Sequence, residues 1–324
     1  MKKIIGMGNA LVDVLVTIPD DRILNELGLL KGSMRLVDTT FSDRVISFVN
    51  GFSKSVQSGG SASNTIHGLS RLGRECAFIG KISDDEFGRI FKEDLLNCNI
   101  KPMLFTDETP TGKAVALISP DSERTFATYL GAAVKLSPGE ITPDLFQGSQ
   151  YFHIEGYLVQ DHELIEKALK TAHDLRLVTS LDLASFNIVG ENLEFLNSLI
   201  KKYVNIVFAN EEESIAFTGL SSDEGVKRIA EICDIAIVKT GAEGSIIASG
   251  NEIYNVAPFK VKPVDTTGAG DLYASGFLFG LMNGSSLAES GKIGSFLAAR
   301  VIEKVGAKIP AEEWAEIINE MGRI

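Results

Sequence analysis

Short apolar runs bounded by Gly, Asp or Asn recur along the chain, with stretches of helical spacing between them. K-K-I-I-G-M-G opens the series. E-C-A-F-I-G (75–80), Q-Y-F-H-I-E-G (150–156), L-V-T-S-L-D (177–182), V-N-I-V-F-A-N (204–210) and D-I-A-I-V-K-T (234–240) follow. Runs of this kind suit strands buried on both faces. Between them, residues 161–175 and 192–203 repeat apolar positions at the helical period. The alternation predicts an α/β fold, a mostly parallel sheet wrapped by helices.

Two regions break the rhythm. Residues 11–37 contain V-D-V-L-V-T-I-P and S-M-R-L-V-D, and residues 103–130 contain M-L-F-T-D, G-K-A-V-A-L-I-S and R-T-F-A-T-Y-L. These alternate as half-exposed strands do, with turn residues between them, including P-D-S-E at 120–123. They predict a small antiparallel sheet lying as a lid over the carboxyl ends of the main strands, where open α/β sheets bind ligands.

Composition narrows the partners. The 324 residues carry a net charge of -12 and a pI near 4.9, which argues against nucleic acid or an anionic membrane surface. Cys76, Cys98 and Cys233 are scattered and odd in number, the pattern of reduced thiols in a cytoplasmic protein. The four histidines show no zinc-ligand spacing, and the N-terminus reads as neither a signal peptide nor a membrane span.

The chemistry concentrates at glycine clusters. In D-T-T-G-A-G-D (265–271), Gly268 and Gly270 free the backbone ahead of an apolar helix. The first amides of that helix, from about Ala269 to Asp271, with the positive end of its dipole, form an anion hole suited to a phosphoryl group. Asp271 in the first turn is placed to take a proton from an attacking hydroxyl. Capping alone explains one aspartate but requires neither Gly-Ala-Gly nor a second acid.

In S-G-G-S-A-S-N-T (58–65), a helix beginning near Ser61 brings Gly59, Gly60 and Asn64 to its start, facing sugar hydroxyls or simply capping the helix. Asn9 and Asp13 follow the first strand and suit vicinal hydroxyls, or a solvated turn. Asn210 and Glu213 in A-N-E-E-E suit a magnesium-bound phosphate, or a helix cap. Thr240, Gly241 and Gly244 in T-G-A-E-G allow close approach of a nucleotide, or a tight hairpin. No P-loop spacing exists; G-M-G lacks its third dinucleotide-binding glycine; Asp182 has no neighbouring aspartate of the kind a phosphatase site uses.

Assembled in order, D-T-T-G-A-G-D, G-G-S-A-S-N, G-N-A-L-V-D, N-E-E-E and T-G-A-E-G make the chain resemble the ribokinase-like (PfkB) carbohydrate and nucleoside kinase family over nearly its full length. The resemblance implies a three-layer α/β/α sandwich with a small β lid, as one kinase domain over 1–324 whose lid comes from about 11–40 and 103–130. It implies Asp271 as catalytic base and the Gly268–Ala269–Gly270–Asp271 backbone as anion hole. Asn9, Asp13, Gly59, Gly60 and Asn64 fall at the acceptor. Asn210 and Glu213 match a magnesium and phosphate motif, Thr240, Gly241 and Gly244 line ATP, and Ser295 lies near the adenine. Asp265 and Thr267 match positions that hold a monovalent cation such as potassium in several members. Small-molecule acceptors, cytoplasmic location and a monomer or homodimer are expected.

E-R-T-F-A-T-Y-L-G-A-A (123–133) looks like the lid return of adenosine-kinase-like members. Phe105, Phe126 and Tyr129 suit a stacking platform for a base, or fill the lid's own core. Arg124 suits a carboxylate or phosphate on a sugar acid or sugar phosphate instead. The favoured expectation is an ATP- and Mg²⁺-dependent kinase of adenosine or a ribose-like acceptor. A kinase of 2-keto-3-deoxygluconate or a fructose phosphate is the alternative, and a non-catalytic sugar or nucleoside sensor the competing class.

Overall fold

The computed structural model describes residues 2–121 and 123–324; Ser122, in the expected 120–123 turn, lies outside the described residues. Among the described residues fourteen strands alternate with helices. They are β1 (Lys3–Met7), β2 (Leu11–Thr17), β3 (Met34–Leu36), β4 (Lys54–Gly59), β5 (Glu75–Ile82), β6 (Ile100–Thr106), β7 (Thr111–Ile118), β8 (Arg124–Gly131), β9 (Tyr151–Glu155), β10 (Val178–Asp182), β11 (Ile206–Asn210), β12 (Ile235–Lys239), β13 (Ser245–Ser249) and β14 (Glu252–Val256). Among the described residues no helix is long and apolar enough to cross a membrane.

Nine strands form one sheet in the order β14-β13-β12-β11-β10-β9-β1-β5-β6, parallel from β12 to β6. Side chains alternate between two cores. Ile5, Ile79 and Val207 pack with the helices His162–Asp174 and Leu193–Tyr203 on one face. Ile4, Phe78 and Phe208 pack with the helices Ser61–Arg71 and Ala269–Asn283 on the other. This is a three-layer α/β/α sandwich. The chain winds outward from β1 in both directions, so strand order reverses at β1 and β9, where α/β sheets place their ligands.

The small sheet has five strands, ordered β3-β8-β7-β2-β4, and differs from the expectation in two respects. It is mixed: β2 runs parallel to β7, and β3 parallel to β8. Both β2 and β7 leave the carboxyl edge of the large sheet, from β1 and β6, so they run in the same direction. M-L-F-T, expected in this sheet, belongs instead to β6 at the edge of the large one. An edge strand is half-exposed and tolerates Pro102, so its pattern mimics a lid strand. One face, with Val14, Val16, Val115, Leu117 and Ala127, is covered by the helices Arg22–Leu27 and Thr39–Phe48. The other carries Asp13 in register with Ala114, Thr128 and Leu36, and lies toward the carboxyl edge of the large sheet.

Candidate active site

Two helices begin at the same place. Gly60 (φ 89°) leads into Ser61–Arg71, and Gly268 (φ 77°) leads into Ala269–Asn283. Both glycines are sterically required: a Cβ on Gly60 would strike the Asn9 carbonyl, and one on Gly268 would lie 2.7 Å from Ala307 Cα. Between the two starts sits the Asp271 carboxylate. It accepts hydrogen bonds from Ser61 Oγ (2.7 Å) and Asn64 Nδ2 (2.9 Å). Burial pushes it up to about 6, with Asp182 adding to the rise and the two hydrogen bonds opposing it. A carboxylate poised there is matched to general-base work near neutrality.

The open amides are fewer than the sequence suggests. Ala269 N donates to Thr266 O (3.2 Å), closing the turn, while among the described residues the amides of Gly270 and Asp271 find no partner. The amides left to face an anion are therefore those of Gly270 and Asp271, not Ala269. An ammonium stands beside them. Lys239 Nζ lies 3.0 Å from where a Gly270 Cβ would be, and pairs with Asp182 at the end of β10 (2.8 Å). Burial works against the charged lysine, but Asp182 and Glu213 outweigh it and hold Lys239 above its usual range.

Asn210 and Glu213 form a reciprocal cap: Asn210 Oδ1 accepts from Glu213 N, and Glu213 Oε2 from Asn210 N, each at 2.8 Å. Glu213 is 3 % exposed and is pushed up to about 7 by burial and by Asp182. Thr240–Gly244 is the hairpin between β12 and β13, closed by Thr240 N to Gly244 O (2.8 Å). Gly244 (φ 100°) packs against Val256 and Pro258, whereas Gly241 faces open space. Ser295 is buried nearby and donates to Ala257 O (3.2 Å).

Asn9 and Glu155 meet across the β1–β9 reversal, where the acceptor is expected. Glu155 accepts from Asn9 N (2.8 Å) and Ala62 N (2.9 Å), and burial pushes it up to about 7 despite those bonds. Among the described residues Asn9 Oδ1, Asn64 Oδ1 and Ser63 Oγ are buried without partners, polar atoms that the fold itself leaves unsatisfied. Asp13, against Gly59, is pushed up to about 6 by burial, with Lys308 pulling the other way. A cavity of about 680 Å³ opens beside Asn9, lined by Leu130, Val134, Tyr157, Gln160 and His162 among others.

Three expectations are corrected. Arg124 does not reach for an acceptor carboxylate; its guanidinium pairs with Asp265 and donates to Thr267 Oγ1 (3.0 Å). Asp265 and Thr267, expected beside a monovalent cation, are the residues that receive this guanidinium. The stacking platform reduces to Phe126, which shares the face of Asp13; Phe105 packs into the large-sheet core, and Tyr129 lies on the opposite face of β8. A cluster invisible in sequence spacing is also present: His67, Asp94 and Cys98 bring ligand atoms within 4.8 Å of one another. Protein cations already neutralise it, with Lys308 Nζ 2.6 Å from Asp94 and Arg71 Nη2 3.3 Å from Cys98 Sγ.

Sequence reasoning missed Ser61, Glu155, Asp182, Lys239 and Lys308. Ser61 sits inside a motif already singled out, and its place at the helix start was the available signal. The others are isolated charged residues at strand ends or in a loop, given meaning only by the sheet order.

Residues 42–314 match the sequence model of the pfkB family carbohydrate kinases. A 5-dehydro-2-deoxygluconokinase of Bacillus licheniformis is 30% identical over 283 residues, 82% of this chain and 86% of that protein. An uncharacterized sugar kinase of Archaeoglobus fulgidus is 30% identical over 251 residues, 74% of this chain and 96% of that protein. Among solved structures, a probable sugar kinase of Rhizobium etli superposes with a TM-score of 0.90 at 32% identity, covering 100% and 99% of the two chains. An adenosine kinase of Sinorhizobium meliloti does so at 0.87 and 33%, covering 98% and 99%.

Proposed function

The chain belongs to the PfkB family of carbohydrate kinases, a kinase of small sugars or nucleosides, and from that premise we propose that it moves the γ-phosphate of ATP to a primary hydroxyl of a nucleoside, adenosine being the favoured acceptor. The observation that carries the reading is the Asp271 carboxylate, held by Ser61 and Asn64 beside the two open amides at the Gly268-led helix start. The acceptor oxygen attacks the γ-phosphorus as Asp271 takes its proton, and the bond to the leaving β-phosphate oxygen breaks. Gly270 N, Asp271 N and the Lys239 ammonium face the charge that spreads over the phosphoryl oxygens. Glu213, buried and pushed up to about 7 with Asp182 nearby, would hold Mg²⁺ with Asn210 at the same helix start, and the ion would supply neutralisation of phosphate charge when bound. Thr240, Gly241 and Gly244 line the nucleotide, with Ser295 behind them.

The nucleoside preference rests on two features. The cavity beside Asn9 combines Leu130, Val134 and Tyr157 with Gln160 and His162, a wall for a flat ring with a polar edge. Phe126 lies on the site-facing side of the small sheet, and Met34 and Leu36 on the same side are 56% and 53% exposed. Arg124, the group best suited to a sugar acid, is engaged elsewhere. The 5-dehydro-2-deoxygluconokinase relatives favour a sugar-acid acceptor as the second reading. The outer face of the small sheet is closed by the chain's own helices, which supports a monomer over a pair joined through these sheets.

A coupled ADP-release assay over adenosine, ribose, fructose, 2-keto-3-deoxygluconate and fructose phosphates tests the proposal. Turnover of adenosine above the others is expected. Selective turnover of a sugar acid with adenosine inert would replace it with the second reading.

A further inference from the structure

Asp265 and Thr267 stand beside the anion hole, and the donors around them leave no room for an alkali cation. Asp265, 9% exposed, accepts at Oδ1 from Thr267 N (3.1 Å) and Thr267 Oγ1 (2.8 Å). At Oδ2 it accepts from Gly306 N and pairs with Arg124 Nη2. Four donors therefore meet a carboxylate with about four lone-pair sites. Thr267 Oγ1 is used twice, donating to Asp265 and accepting from Arg124 Nη1 (3.0 Å). A guanidinium cannot lose its proton in a protein, so any added cation at these oxygens would face a permanent like charge.

We infer that Arg124 is the fixed cation of this corner, so that the kinase reaction proposed above runs without a monovalent metal ion. The residue acts through others. Its fork clamps Asp265 and Thr267, the residues either side of Thr266, whose carbonyl takes the Ala269 amide and so sets the aim of the Gly270 and Asp271 amides. Arg124 is therefore a positioning residue. Because it opens β8, the small sheet carries the charge that a soluble ion would otherwise bring. The inference rests on the kinase reading for its kinetic half only; occupancy of the Asp265 corner is a property of the folded chain.

The test compares KCl with tetramethylammonium chloride, each at about 100 mM so that screening is equal. For the unmodified protein, turnover is expected to agree within about twofold between the two salts, and Tm within about 1 °C, as no selective ligand is bound. Arg124→Met leaves a buried carboxylate without its partner. Its turnover in tetramethylammonium should fall on the order of 10²-fold through misaimed amides, and potassium should restore at least about tenfold while raising Tm by a few degrees. Arg124→Lys, which keeps a fixed charge, should remain insensitive to potassium. Potassium activation of the unmodified protein by more than about fivefold, with a potassium-specific rise in its Tm, would overturn the inference, as would an Arg124→Met variant indifferent to potassium. A protein whose Tm ignores potassium but which phosphorylates no acceptor would sink the proposed function and leave this assignment of Arg124 standing.

Discussion

The two glycine-led helix starts are alike in geometry and opposite in electrostatics. Each points the positive end of its dipole at the same spot. The start of Ser61–Arg71 already faces an acid of the chain itself: Glu155 accepts the Ala62 amide at 2.9 Å, and the side chains of Ser61 and Asn64 turn to Asp271. At Ala269–Asn283 the Gly270 and Asp271 amides remain free, with the Lys239 ammonium beside Gly270. The second start combines open amides, the positive dipole end and a neighbouring ammonium, a setting that favours an anion, whereas the first already has the Glu155 carboxylate at its amides. On the proposed reading, this asymmetry between two similar elements separates the scaffold that orients the base from the surface that receives the phosphate.

The comparison breaks most severely if Asp271 is neutralised. Asp271→Asn should retain the fold and ATP binding yet lose about two to four orders of magnitude in turnover, read by ADP release. Next comes the second start itself. Gly268→Ala places a Cβ at 2.7 Å from Ala307 Cα at φ 77°. Shifting those amides by about 1 Å should lower kcat on the order of 10²-fold. An equivalent loss from an exposed glycine such as Gly139, which meets nothing nearby, would show that the effect is not specific to this turn.

Changes at the first start should act on the acceptor instead. Glu155→Gln loosens Asn9 and Ala62, and is expected to raise the acceptor KM about tenfold with kcat changed much less, because it removes one charged hydrogen-bond acceptor. The smallest effect is on stability. Burial raises Asp271 to about 6 in the folded chain from its ordinary 3.8, so between these values the folded chain binds more protons than the unfolded one. By linkage this group makes stability fall as pH rises through that window, the reverse of a salt-bridged carboxylate. Asp271→Asn should therefore be more stable than the parent by about 2 kcal/mol at pH 8, and the gain should vanish near pH 4, as denaturant titrations at both pH values would show.

Most of the large sheet was legible because its strands are buried twice over. Runs such as V-N-I-V-F-A-N have no polar alternation, and all six of them lie in the nine-stranded sheet. The antiparallel β13 and β14 were not, since S-I-I-A-S is short and E-I-Y-N-V is mostly exposed at the sheet edge. β4 was missed because K-S-V-Q-S-G has almost no apolar content, although it pairs antiparallel with β2 over six residues. In the site, local motifs announced Asp271 and the glycines, since unusual backbone demands leave a trace in sequence. Glu155, Asp182 and Lys239 left none: each is one charged residue closing a strand, and only the order β12-β11-β10-β9-β1 assembles them. Arg124 was visible, but its partner was not, because a lid residue 141 positions from Asp265 is placed by tertiary closure.

A crystal structure with ADP, aluminium fluoride and the acceptor would test the central claim most directly. The account predicts the fluoride within hydrogen-bond distance of Gly270 N and Asp271 N, the acceptor hydroxyl on the Asp271 carboxylate, and Ala62 N still bound to Glu155. A fluoride on Ala62 N, or an Asp271 side chain turned away from the acceptor, would contradict it.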